Sequence, residues 1–313
     1  MKFLFKSKYI RQAALLLCTV FGLVFSLVFG LGPLAAAAQD TDESVWDQGK
    51  LIGTGGVTQV EGAGGSGLTT WALITGYGTE RGLGVNAHHT FVALNDFTLN
   101  STGVAVGLYD RLELSATRQW FGTGKAGARL GLGEGFTFGQ DIWGAKLRLV
   151  GDAVYAQNSW LPQVALGLQY KNASNETILG VLGAVRSDDL DFYISATKAL
   201  LRHSLIISTT ARLTRANQFG LLGFGSVDSE NDGRSLQIES SLAYMIRRNL
   251  ILGADYRSKP DNLAFAEESD AAAIYLAYFP SKNVSVTIAA VDLGKIALQG
   301  KQQGFYVSLQ MGF

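Results

Sequence analysis

The last ten residues impose the tightest constraint on what this chain can become. Phe305, Val307, Leu309, Met311 and Phe313 alternate with Gly304, Tyr306, Ser308, Gln310 and Gly312, so an extended segment here has one apolar face and one mixed face. The pattern recurs upstream in Val284, Val286, Ile288 and Ala290, and in Leu250, Leu252, Ala254 and Tyr256. Leu236, Ile238, Leu242, Tyr244 and Ile246 form another row, as do Val164, Leu166, Leu168 and Tyr170, and Leu112, Leu114, Ala116 and Trp120. Segments of this length and alternation suit tilted strands that cross a bilayer. A soluble β-sandwich alternates too, so alternation alone does not decide.

Connection lengths separate the two. Short stretches at 109–111, 156–159, 201–203, 247–249 and 280–283 alternate with longer ones at 122–140, 172–189, 216–235, 260–270 and 296–303. Bacterial membrane barrels join their strands in this way, with short periplasmic turns and longer external loops. Three further segments, 50–60, 68–77 and 83–94, precede the strand ending at Tyr109. The expected fold is therefore all-β, a transmembrane antiparallel up-and-down β-barrel of about fourteen strands. Segment 50–60 is rich in glycine, and twelve strands follow if it and a neighbour fail. Aromatic residues gather at strand ends, with Trp120, Trp143, Tyr170 and Tyr256 toward the outside. Tyr109, Tyr155, Trp160, Tyr278 and Phe313 lie toward the periplasm, which suits interfacial girdles.

The first residues read as an export signal. Lys2, Lys6, Lys8 and Arg11 precede an apolar run over 13–31, and Ala35 to Ala38 supply a small-residue cleavage site before Gln39. The expected organisation is a signal peptide at 1–38, a short acidic periplasmic tail at 39–49 and an outer-membrane barrel at 50–313. Without those four basic residues, 22 Lys and Arg face 26 Asp and Glu, an acidic balance that argues against nucleic acid. The single cysteine, Cys18, lies in the signal, so no disulfide or thiol chemistry is expected beyond it.

Gln302, Gly304, Val307, Leu309 and terminal Phe313 resemble the signal that outer-membrane barrels present to their insertion machinery. Gly304, Val307, Leu309 and Phe313 are its expected carriers. Residues 53–61 (GTGGVTQVE), 107–119 (GLYDRLELSATRQ) and 216–225 (ANQFGLLGFG) resemble an uncharacterised family of proteobacterial outer-membrane proteins, known as a domain of unknown function. The resemblance implies a barrel in the outer membrane of a Gram-negative bacterium and brings no activity or site residues with it.

Charges on the faces opposite the apolar rows carry the functional reading. A Lys or Arg facing hydrocarbon at mid-membrane costs about 2–4 kcal/mol, so Glu113, Lys146, Arg148, Asp191, Arg212, Glu239, Asp255 and Arg257 are expected to face the lumen and line a pore. Salt bridges that fill the lumen are the alternative. Asp228, Glu230, Asp232 and Glu239 approximate a calcium-loop spacing, but Glu230 is long for its position and strands flank the loop, so no metal is expected. His88 and His89 are adjacent and point to opposite faces of a strand, and His203 falls in a turn, so no catalytic triad is legible. Gly131, Gly133 and Gly135 lack the strand-then-helix setting of a phosphate loop. The chain reads as a non-enzymatic passive channel or small-solute uptake barrel without cofactor. The rival reading is a plugged barrel whose outer loops act at the surface. Expected partners are outer-membrane lipid, lipopolysaccharide, the barrel-insertion machinery and small solutes.

Overall fold

The computed structural model describes residues 46, 48–55, 57–227, 233–264 and 266–313. The export signal, its cleavage site and Asp228, Glu230 and Asp232 of the acidic loop lie outside the described residues.

Twelve strands make up the barrel among the described residues. They are Leu83–Leu94 (β1), Thr98–Leu108 (β2), Leu112–Gly122 (β3), Thr137–Val150 (β4), Gln163–Ala173 (β5) and Asp188–Leu200 (β6). The second half comprises Leu205–Thr214 (β7), Ser235–Arg247 (β8), Leu250–Arg257 (β9), Ala271–Ser281 (β10), Val284–Ile296 (β11) and Gln299–Gly312 (β12). Each pairs antiparallel with its neighbours in the chain, and β1 meets β12 from Asn86↔Gly312 to Leu94↔Gly304. That seam closes the sheet, so every strand has a partner on both sides and the wall has no open edge.

Each apolar row in the sequence faces outward. On β9, Leu252, Ala254 and Tyr256 are exposed while Ile251, Gly253, Asp255 and Arg257 are buried. The same alternation holds on β8, where Leu242 and Tyr244 face out and Glu239, Ser241 and Ala243 face in. An apolar exterior over a hydrogen-bonded closed sheet is what hydrocarbon demands of a spanning structure.

Two expected strands are absent from the wall. The described residues of 50–60 and 68–77 lie within the barrel, apart from exposed Leu51, and form only the isolated bridges Thr58↔Gly64 and Gly65↔Thr70. The physical reason is width. Eight strands enclose a lumen their own side chains fill and sixteen leave an aqueous channel, so twelve enclose a space wide enough to admit a further segment of chain. The described residues of 50–77 occupy it, and the barrel has the alternative count of twelve strands rather than fourteen.

Connections also differ from expectation in two places. The expected long connection at 296–303 is two residues, because β11 runs to Ile296 and β12 begins at Gln299. Ala297 turns the chain with φ 51°. The expected short turn at 156–159 is a connection over 151–162. Its start is fixed by the Asp152 carboxylate, which accepts the N–H groups of Val154 (2.8 Å) and Tyr155 (2.7 Å). One end of the barrel thus carries the connections at 123–136, 174–187, 215–234 and 258–270, the first two holding short helices Ala126–Arg129 (α1) and Glu176–Val181 (α2). We refer to it as the loop end, and to the opposite one as the turn end.

The terminal strand shows why its residues matter to closure. Phe313 N donates to Val85 O (2.7 Å), while Val85 N (2.9 Å) and Tyr77 N (2.8 Å) donate to Phe313 O, joining β1, the last residue and the end of the inner segment. A side chain at Gly304 would place its Cβ 1.9 Å from the Ala93 carbonyl oxygen across the seam. Gly304→Val should therefore block the β1–β12 seam, as should deletion of Phe313. Unboiled electrophoresis checks this: both variants should lose the fast-migrating folded band that Val307→Ile, facing outward on the same strand, retains.

Candidate functional site: the plugged lumen

The described residues of the inner segment 50–77, hereafter the plug, form no ladder with a strand of the wall; part of their backbone pairs within the segment, as Val60 N does with Gly67 O, and much of the rest meets wall side chains. These contacts come from all round the wall. Glu113 accepts the N–H groups of Gly64 (2.9 Å) and Thr75 (2.8 Å). Lys146 Nζ donates to the carbonyls of Gly64 (3.1 Å), Trp71 (3.0 Å) and Leu73 (2.7 Å). Asp255 accepts Leu68 N (3.0 Å) and Glu239 accepts Thr70 N (2.7 Å). Thr197 accepts Ala72 N, Gln163 Nε2 donates to Ala72 O, and Ser101 and Gln119 both donate to Val60 O. Gln310 brackets Thr58, accepting its N–H (2.7 Å) and donating to its carbonyl (3.0 Å). Close approach demands small residues here: a Cβ on Gly65 would lie 2.1 Å from Thr69 O.

The wall charges pair among themselves as they grip the plug. Near the turn end Lys50 meets Asp110 at 2.7 Å, and Arg148 bonds Asp110 and the Gly151 carbonyl. Further in, Lys146 and Glu113 sit 3.0 Å apart, each 1 % exposed. Toward the loop end a continuous network runs from Lys171 to Asp191 (2.9 Å), Asp191 to Arg212 (3.5 Å), Arg212 to Glu239 (2.6 Å) and Glu239 to Arg257 (3.5 Å). The plug's Glu61 closes it into a loop through Lys171 (2.6 Å) and Arg257 (2.9 Å).

All eight charged residues singled out in the sequence face inward, and each is engaged by the plug or by a neighbour. Sequence reading missed Lys171, Asp110 and Glu61. Lys171 follows outward Tyr170 on β5 and so has inward parity, a signal present but unused. Glu61 carries none, because an enclosed segment has no strand period to read. Glu239, the twelfth position of the calcium-loop spacing, is instead an inward residue of β8 committed to Arg212 and Thr70.

Residues 215–227 fold into the lumen at the loop end as a cap, meeting side chains that hold the plug. Asn217–Gly220 forms a short 3-10 turn in which Gln218 and Phe219 adopt φ of 47° and 63°, left-handed values unusual for side chains of this size. The Phe219 carbonyl accepts Lys171 Nζ (3.2 Å), and its ring lies 4.3 Å from the Arg257 guanidinium. Glu268, on the connection at 258–270, accepts Gln218 N with both oxygens (2.9 and 3.0 Å), and Lys259 Nζ donates to Gln218 Oε1 (2.7 Å).

The histidines divide as their adjacency requires. His88 faces in, 3.4 Å from Ser101 Oγ, whose proton is committed to the Val60 carbonyl. His89 faces out and meets Thr102 Oγ1 at 2.7 Å. That arrangement offers no activated hydroxyl.

Residues 54–310 match the family described as "Protein of unknown function (DUF3034)", and the chain belongs to that family. No curated protein matches it. Among solved structures it is similar to the KdgM porin (9% identity, TM-score 0.46, covering 74% of this chain and 99% of that one). It is also similar to the NanC porin (9%, 0.47, covering 72% and 98%) and to outer membrane phospholipase A from Escherichia coli (10%, 0.38, covering 73% and 95%).

Lys146→Met leaves Glu113 buried without its cation and should cost about 3–5 kcal/mol of stability, much of which Lys146→Met with Glu113→Gln restores. Denaturant unfolding of the purified barrel in detergent measures both. Burial pushes the Glu268 carboxyl up to about 7 despite Lys259 beside it, and Asp261 adds to the rise. A raised folded value means the folded chain holds this proton more tightly, so its contribution to stability falls as pH rises from about 4.5 to about 7. Glu268→Gln should flatten that part of the profile, read as the unfolding midpoint across the same range.

Proposed function

We propose that this protein is a gated pore of the Gram-negative outer membrane, closed by its own N-terminal segment, and not an enzyme. The observation that carries this reading is the chemistry of the contact between plug and wall. It is built from hydrogen bonds and ion pairs, with wall side chains holding plug backbone. A permanently filled lumen is served at least as well by apolar side chains, because desolvating buried ions offsets most of their mutual attraction. Charged walls are what a lumen needs in a state where it meets water, since they hold hydration and focus the field on passing ions. On this reading Glu113, Lys146, Arg148, Asp191, Arg212, Glu239, Asp255 and Arg257 line the pore once the plug moves.

The outward apolar rows, the closed sheet and the terminal pattern ending at Phe313 support insertion into the outer membrane, with the loop end outside. A statically sealed barrel acting through its surface loops is the second reading. It is favoured by the density of the ion-pair network, which locks the plug from several strands at once.

Planar bilayers separate the two. Full-length protein should be silent or open only briefly, while a variant lacking residues 51–76 should give sustained, discrete conductance steps. Lys146→Glu with Arg148→Glu in that variant should move the reversal potential toward cation preference. A folded deletion variant that never conducts and excludes small sugars from liposomes would overturn the pore and leave the sealed barrel.

A further inference from the structure

The plug delivers one carboxylate to the centre of the wall's densest cationic cluster. Glu61 is fully buried, and each of its oxygens meets a different cation: Oε1 lies 2.6 Å from Lys171 Nζ on β5, and Oε2 lies 2.9 Å from Arg257 Nη2 on β9. Arg212, on β7 between them, pairs with the same Asp191 that Lys171 meets and the same Glu239 that Arg257 meets. The wall therefore gathers three cations around two acids of its own, and Glu61 provides the third negative charge. When the plug leaves, this ion-pair network keeps one cation more than it has acids, with Asp255 the next wall acid two residues from Arg257 on the same face, and two cationic side chains are left directed at the position of a carboxylate.

We infer that Lys171 and Arg257, supported by Arg212, form a binding subsite for a carboxylate-bearing solute, and that Glu61 is an internal ligand which occupies it in the closed barrel. This rests on the gated-pore reading and names the class of solute it serves. The group bound there is itself a carboxylate, with one oxygen to each cation. Competition between solute and Glu61 couples binding to opening, because a ligand that prefers the vacated site shifts the chain toward the open state. The site is also in touch with the outer mouth: Phe219 of the cap places its carbonyl on Lys171 and its ring over Arg257.

The probes are glucuronate, glucose and inorganic phosphate, applied to the full chain carrying Glu61→Gln and to the variant lacking residues 51–76. Glu61→Gln should raise the open fraction of the full-length protein. The deletion variant should prefer chloride over potassium, and its current should be blocked by glucuronate but not by glucose, with phosphate weaker. Lys171→Gln with Arg257→Gln should weaken the glucuronate block by about tenfold or more and reduce the chloride preference. If the deletion variant conducts and these substitutions alter neither selectivity nor block, the subsite is wrong and the pore stands. Equal block by phosphate and glucuronate overturns the carboxylate assignment. A second readout is independent of conduction: glucuronate should raise the unfolding midpoint of the folded deletion variant, or of full-length Glu61→Gln where the deletion does not fold. Absence of that rise, or its persistence in Lys171→Gln with Arg257→Gln, overturns the inference even where no current is seen.

Discussion

Twelve strands enclose more space than their own inward side chains can occupy, yet less than an unobstructed large porin leaves open. The remaining architecture depends on that gap. A peptide segment that occupies it brings backbone N–H and C=O groups that have no strand to pair with. Here the filler is a stretch of the same chain, and the wall's inward side chains act as its hydrogen-bonding partners. Glu113 and Lys146 illustrate the arrangement, because between them they serve five plug backbone groups while pairing with each other at 3.0 Å. The composition of the wall and that of the plug are consequently matched, since the plug presents backbone groups and the wall presents the polar side chains that meet them.

That pairing of compositions has a mechanical consequence. An apolar interface is stabilised by keeping water out, so opening it exposes surface that water disfavours. An interface of hydrogen bonds and ion pairs can exchange each contact for one with water, and the net loss per hydrogen bond is only about 0.5–1.5 kcal/mol. The plug remains in place because the contacts are numerous and come from nearly every side of the barrel. Loss of a single partner is costly, since it strands a buried charge, whereas collective hydration of the whole interface strands none.

The wall was legible in the sequence because each outward position meets one kind of environment. Alternation located β1 at 83–94, and parity together with the cost of charge in hydrocarbon turned eight charged residues inward. The plug was misread as two strands, since residues 68–77 mix apolar and small polar residues much as a barrel strand does. Inside a lumen every direction is enclosed, so no period distinguishes one face from another. Which charges meet was illegible for a related reason. Glu61 and Lys171 are 110 positions apart, and their contact exists only once the sheet has closed around the plug. The loop lengths failed where side chains rather than turn residues set the path, as Asp152 does in the connection at 151–162.

The three stretches that resemble the family converge on this one lumen. Residues 53–61 are the first half of the plug and carry Glu61; residues 107–119 hold Asp110, Glu113 and Gln119, which face it; residues 216–225 form the cap. In the cap, two successive residues hold left-handed conformations that cost on the order of 1–3 kcal/mol each and persist only where surrounding contacts over-determine them. Those contacts are Glu268 and Lys259 on one side of Gln218, and Lys171 and Arg257 around Phe219. Lys171 and Arg257 are also the cations that hold Glu61. A cap that relaxes its backbone must release them, and a plug that withdraws Glu61 removes the charge that fixes them. The loop end and the interior are thus tied through two side chains, so neither can rearrange without changing the free energy of the other.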